Sequence, residues 1–377
     1  MKTNQLVGRP GEQWDRLPSL GEDAVLALVF GATERLRDPE LFAQIRCMYP
    51  RACILGCSTA GEIAGTQVLD GSVTVTAVSF AETRVELAST AIEPGEDSAA
   101  VGARLAAGLG REGLRHVLVL SDGLKVNGTR LVQGLSAGLR PETMVTGGLA
   151  GDGERFKETL VLANAPAQGG IVAALGFYGA RLRIGWGSVG GWDIFGPKRL
   201  VTRSQGNILY ELDGQPVLDL YKKYLGKHAA ELPASALLFP LSIENPEMAG
   251  SGLVRTVLSV NEQDKSMTFA GDVPQGSHAT LMYANFDRLV DGAAASAQQS
   301  LHVSGVGAGL ALCISCVGRK LILKQRVEDE TEAVRGILGE QAMMAGFYSY
   351  GEISPLGDTG RCELHNQTMT ITTFSEV

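Results

Sequence analysis

The sequence predicts an α/β to α+β fold in two domains, with mixed β-sheets built from a repeated strand-helix-strand-turn unit. Three observations carry that prediction. The 377 residues exceed what one hydrophobic core usually organises. Hydrophobic residues make up 45% and charged residues 20%, which is apolar enough to bury a core and too apolar for disorder. The third observation is a single order of secondary-structure signals that occurs three times along the chain.

In the first copy, "AVLALVFG" (24–31) reads as a buried strand ending at Gly31, and "DPELFAQIRCMY" as a helix. "ACILGC" (52–57) is a second strand, "AGE" (60–62) a turn, and "VTVTAVSF" (73–80) an alternating third strand. The second copy runs "HVLVLSDG" (116–123), a helix near 126–139, "TMVTGG" (143–148), "AGD" (150–152) and "TLVLANA" (159–165). The third runs "LALCISCVG" (310–318), a helix near "EDETEAVRGILGE", "MAGFYS" (344–349), "YGE" (350–352) and "MTITTF" (369–374). From Gly31 to Gly61, Gly123 to Gly151 and Gly318 to Gly351 the spacings are 30, 28 and 33 residues. A strand, helix and strand at this spacing suit a crossover that makes the two strands parallel, with both ends on the carboxyl edge of a sheet.

The remaining C-terminal sequence reads as β-rich. "LYELDGQPVLDLYKKYLG" (209–226) is a strand, an Asp-Gly turn and an amphipathic helix. Four short strand-like runs follow: "ASALLFPLSI", "LVRTVLSV", "SMTFAG" and "ATLMYA". "FDRLVDGAAASAQQSLH" (286–302) is a helix with a small-residue face. The Gly-rich, aperiodic "GWGSVGGWDIFGPK" marks a boundary, giving a tail at 1–21 and domains at 22–200 and 201–377.

Ligands of open α/β sheets usually sit at the carboxyl edge. Gly61, Gly151 and Gly351 let the backbone turn there, and Glu62, Asp152 and Glu352 project beside them as three equivalent carboxylates able to accept from a ligand amine or hydroxyl. Cys57 and Ser58 precede the first turn and Tyr350 the third, completing the candidate ligand-binding set. The same acids also suit a purely structural role, capping a turn.

Net charge of −8 excludes a general nucleic-acid footprint. The N-terminus lacks a signal-peptide apolar run, and no segment approaches the roughly 18 apolar residues of a membrane span, so a cytoplasmic protein without membrane insertion is expected. Six Cys in a chain this long do not make a disulfide framework. Cys313, Cys316, Cys362 and His365 have zinc-like pair spacings, but both pairs fall in strands, where residues three apart point to opposite faces. No metal site is therefore assigned. Cys57-Ser58 after a strand superficially matches a nucleophile elbow without a base in the segment, which leaves a Cys-dependent enzyme as a third reading.

"GCSTAGEI" (56–63), "TGGLAGDG" (146–153), "LALCISCVGR" (310–319), "GFYSYGEISP" (346–355) and "LHNQTMTITTF" (364–374), in that order, resemble the FIST family of sensory proteins with its N-terminal and C-terminal domains. The resemblance implies a non-enzymatic small-ligand sensor, for an amino acid or similar molecule, that signals through a partner such as a histidine kinase, diguanylate cyclase or chemoreceptor. It also implies an alternative, a haem protein sensing nitric oxide. His365 and His302 are the axial-ligand candidates for that alternative.

Overall fold

The computed structural model describes all residues except 13, 16, 17, 233, 245–251, 358 and 359. Each repeat contributes a parallel strand pair joined through a helix. The pairs are Leu26–Gly31 with Cys53–Ser58, Leu114–Ser121 with Met144–Leu149, and Leu310–Cys316 with Met343–Ser349. Their crossover helices are Pro39–Met48, Gly128–Gly138 and Val327–Leu338. Asp38 and Asn127 cap the first two by accepting from backbone N–H groups of the opening turn, which has no intrahelical acceptors of its own. Beside the first strand of each pair lies an antiparallel strand, Val73–Ser79, Ile171–Tyr178 or Met369–Glu376. Beyond those lie Lys2–Gly8, Arg84–Ala91 and Leu182–Val189.

The short strand after each bend leaves the sheet of its own repeat. Glu62–Ala64 pairs with Met343–Ser349 in the third sheet, Val161–Ala163 with Cys53–Ser58 in the first, and Gly351–Pro355 with Met144–Leu149 in the second. The three handovers close a circle and give the body a three-fold pattern. The inner sheet faces pack together through Leu28, Phe30, Leu118, Leu120, Leu312 and Ile314, with Phe30 stacked on Phe347 at 4.7 Å. With both faces covered, strands such as Leu26–Gly31 are buried at every position, which explains their unbroken apolar sequence.

One backbone approach recurs in all three pairs. A Cβ on Gly56, Gly147 or Gly346 would lie 2.0, 1.9 or 1.7 Å from the carbonyl oxygen of Val29, Val119 or Cys313 on the parallel neighbour. Only glycine fits such contacts.

Three expectations need correction. The run 159–165 is not the closing strand of the second repeat; its Val161–Ala163 is the handed-over strand, and Ile171–Tyr178 closes the repeat. A loop between Asp152 and Thr159 separates this bend from its strand, which displaces the apolar run relative to the other copies. The tail at 1–21 contains Lys2–Gly8, an edge strand whose half-exposed start suits its polar residues. Within "ASALLFPLSI", Ala234–Leu238 is a 3₁₀ helix and the strand is Leu241–Glu244.

Leu182–Val189, from the first expected domain, pairs with Met369–Glu376 from the second. Residues 193–283, between Leu182–Val189 and the helix Phe286–Ser304, form a separate nine-stranded sheet. Its own core includes Leu209, Leu218, Tyr221 and Phe269.

Candidate functional site at the converging bends

The three bends meet. Ala60 N donates to Tyr348 O at 2.8 Å, Gly151 N to Ser58 O at 2.9 Å, and Tyr350 N to Leu149 O at 3.2 Å, so each bend is hydrogen-bonded to another repeat. A Cβ on Gly151 would lie 3.1 Å from Ala60 N and 3.3 Å from the Tyr350 ring. Gly61, Gly151 and Gly351 therefore belong to one locus.

Their acids divide into two kinds. Glu62 Oε1 accepts from Thr59 Oγ1 at 2.5 Å, and Oε2 from Ser72 N and Oγ at 3.2 and 2.6 Å. Glu352 repeats the pattern, with Ser349 Oγ at 2.6 Å on Oε1 and Thr368 N and Oγ1 at 3.2 and 2.9 Å on Oε2. Ser72 and Thr368 each precede the closing strand of their repeat, so the glutamate ties bend to strand. Burial disfavours the charged form and outweighs these hydrogen bonds, pushing Glu62 up to about 7 and Glu352 up to about 8.

Asp152 does not share that arrangement, and the expected equivalence of three carboxylates holds for only two. Its Oδ1 accepts from Phe156 N at 2.8 Å and from the Tyr350 hydroxyl, and its Oδ2 from Lys157 N and Glu158 N at 2.9 and 3.0 Å. Burial raises its pKa, but the Tyr350 hydroxyl and three backbone N–H groups more than offset this, leaving Asp152 below the ordinary carboxylate value. In the second repeat, Asp122 ties bend to strand instead. It accepts from Thr159 Oγ1 at 2.7 Å and from Gly170 N, immediately before the closing strand, at 2.7 Å. Asp122 closes the first strand rather than following the bend, so a search keyed to Gly-acid pairs misses it.

Between the first and second bends lies a cleft of about 230 Å³, lined by residues 59–62, residues 152–155, Ala32, Glu34, Asp70 and Gly71. Arg155 pairs with Glu34 at 3.3 Å across its rim. The third repeat reaches in through Lys320, whose Nζ donates to Ala60 O at 2.8 Å and pairs with Asp70. Two cations thus face Glu34, Asp70, Asp152 and Glu154, with Glu62 beneath, so the cleft is acidic. No local spacing signals Lys320, which lies 260 residues from its partner. Phe156, in the loop clasping Asp152, has φ of 50°, and its exposed ring stacks on Tyr350 at 4.3 Å.

Gly61, Glu62, Asp152 and Tyr350 are thus at or against the cleft, with Gly151 behind it. Gly351 and Glu352 lie on the third bend, where Glu352 is fully buried. Cys57 is walled into the central core, and burial drives its thiol pKa well up, away from a reactive thiolate. Ser58 is buried, its Oγ accepting from Leu160 N at 2.9 Å.

The two histidines do not fit an axial-ligand site. His365 is buried in the second sheet with Nε2 3.0 Å from Ser354 O, whereas His302 is exposed on the last turn of Phe286–Ser304. Among the described residues, no group of three or more His, Cys, Asp or Glu is placed to hold a metal ion. None of their helices is long and apolar enough to cross a membrane.

A buried network of the third repeat also escaped sequence reasoning. Arg319 pairs with Glu330 at 2.7 Å and donates to Gly190 O and Leu289 O, while Tyr348 donates to Glu330 at 2.5 Å. Neither residue stands in a recognisable pair spacing; only folding brings them together.

Residues 25–215 match the FIST N domain, and residues 218–355 match the FIST C domain. No curated protein matches the chain. Among solved structures, a chorismatase aligns at 12% identity and TM-score 0.36, covering 99% of this chain and 98% of its own. A cyanuric acid hydrolase from A. caulinodans aligns at 8% identity and TM-score 0.37, covering 100% and 98%.

Proposed function

From the premise that this chain belongs to the FIST family, whose domains are small-ligand-binding sensory domains of signalling proteins, we propose that it binds a small amine-bearing ligand, such as an amino acid, in the cleft between the first and second bends. It acts as a cytoplasmic binding protein rather than an enzyme and hands occupancy to a partner such as a histidine kinase or diguanylate cyclase. The observation that carries the reading is the convergence of all three repeats on one acidic cleft, where Asp152 is held ionised by a tyrosine from another repeat.

Excess negative charge in a partly enclosed cleft favours a cationic group, and the low surrounding dielectric strengthens that preference. Backbone strain supports the same location. An aromatic residue at positive φ costs about 1–2 kcal/mol, and strain of this kind gathers where a surrounding structure holds a loop for a task. Ligand contact with residues 59–62 and 152–155 would bear on Lys320 and Tyr350, which belong to the third repeat, so occupancy can shift how the repeats sit together.

Calorimetric titration with the common amino acids and simple diamines tests this. An amine-bearing ligand is expected to bind with an affinity that falls by at least about tenfold in an Asp70→Asn, Glu34→Gln variant. Both residues are exposed, so the variant keeps the fold. Equal affinity in that variant, or binding by none of these compounds, sinks the reading.

A further inference from the structure

At the opposite end of the parallel strands, a second cavity of about 380 Å³ opens between the second and third sheets. Strand Leu114–Ser121 brings Arg115, the approach to Met144–Leu149 brings Arg140, and Leu182–Val189 brings Arg183 and Trp186. Three guanidinium groups thus face Glu142, the one carboxylate of the lining, although the chain as a whole carries a net charge of −8. Local charge is reversed here.

The three arginines are engaged to different degrees. Arg140 lies 3.4 Å from Glu142 and donates to Leu114 O at 3.2 Å. Arg183 donates to the Ala180 and Leu182 carbonyls at 2.9 and 3.3 Å, which orients it without neutralising it. The Arg115 side chain has no ion-pair or hydrogen-bond partner among the described residues. Leu182, Ile184 and Trp186 make the wall apolar. His116 lines the floor, where it is fully buried with Nε2 2.9 Å from Thr146 Oγ1, while its Nδ1 has no partner among the described residues.

We infer that this cavity is a second ligand site, for a small carboxylate with an aromatic or apolar body. Guanidinium groups bind a carboxylate with matched geometry and remain charged at any physiological pH. An apolar wall that includes an indole takes the rest of such a molecule, as small-ligand sites do when a few polar groups fix orientation. Burial keeps His116 uncharged, with its pKa pushed down to about 3, so the floor accepts an apolar group without adding a competing charge. The site is independent of the amine cleft: it lies at the other strand ends and shares no lining residue with it.

The probes are benzoate and phenylacetate, with benzyl alcohol as the uncharged control, read by tryptophan emission of the full chain. Both carboxylates are expected to change the emission saturably, and the change should vanish in Trp186→Phe, which localises it. Arg115→Ala with Arg183→Ala should weaken binding by at least about tenfold, and benzyl alcohol should bind correspondingly less well. A matching melting curve of the double variant would show that its fold is intact. No saturable change with either carboxylate up to about 10 mM overturns the inference. So does equal affinity for benzyl alcohol, or unchanged binding in the double-arginine variant.

Discussion

The second and third bends carry nearly the same sequence, Gly151-Asp152 and Gly351-Glu352, yet place their acids in opposite electrostatic states. Glu352 is fully buried and held by two hydroxyls and one backbone N–H, too little to repay desolvation, so its pKa rises. Asp152 has almost as little exposed surface but borders the open cleft, so it is less deeply desolvated, and three N–H groups of one loop and a tyrosine from another repeat converge on it, so its pKa falls. A shared Gly-acid pair sets the path of the backbone. How deeply the acid is buried and how many donors reach it set the charge.

The strongest way to break this comparison is Asp152→Ala. It strips four donors of a common acceptor at a buried site, and a loss of about 4 kcal/mol is expected in chemical denaturation. A loss under about 1 kcal/mol would mean that the loop finds other acceptors and that the second bend is not organised by this anion.

A second test separates the two kinds of acid by pH. Folded Glu62 and Glu352 hold their protons more tightly than the ordinary value of 4.5, so between that pH and 7 to 8 the folded state binds more protons than the unfolded chain. Stability therefore declines as pH rises through this window. Asp152 contributes in the reverse sense: its stabilisation is present above the ordinary 3.8 and lost as pH falls through its lowered value. Denaturation midpoints at pH 5 and pH 8 should differ in the wild type and converge in Glu62→Gln, Glu352→Gln. An unchanged slope in that variant would place the titration elsewhere.

Tyr350→Phe sharpens the comparison most gently. The ring keeps its stacking on Phe156, while the hydroxyl's hydrogen bond to the buried charge disappears along with its contacts to Asp152 N, Phe156 N and Gly153 O, for an expected loss of about 2 kcal/mol. The pKa of Asp152, followed by carboxyl NMR, should move up towards the ordinary range. If it stays put, the backbone donors alone hold the charge.

Much of this architecture was legible. Apolar runs ending in glycine marked the parallel strands, and the Gly-acid pairs marked bends that do converge. The glycines at 56, 147 and 346 carried a further sign of the repeat, since each meets a neighbouring carbonyl, but glycine is so frequent here that position alone did not single them out. What was misread had a common cause. Val161–Ala163 was placed in its own repeat because local pattern reports that a run is a strand, not which strand it joins. Lys320 and Asp122 were missed because their partners lie elsewhere in the chain or their position in the repeat differs.

By itself, then, the amino-acid order determined the three crossover units and their family, because periodicity and turn chemistry act over a few residues. The tertiary structure alone decided which sheet receives each outgoing strand, which acids are neutral or ionised, and where two oppositely charged cavities open. Those outcomes depend on desolvation by elements of all three repeats and on partners such as Tyr350, which lies 198 residues from Asp152, and only a closed fold brings such neighbours into range.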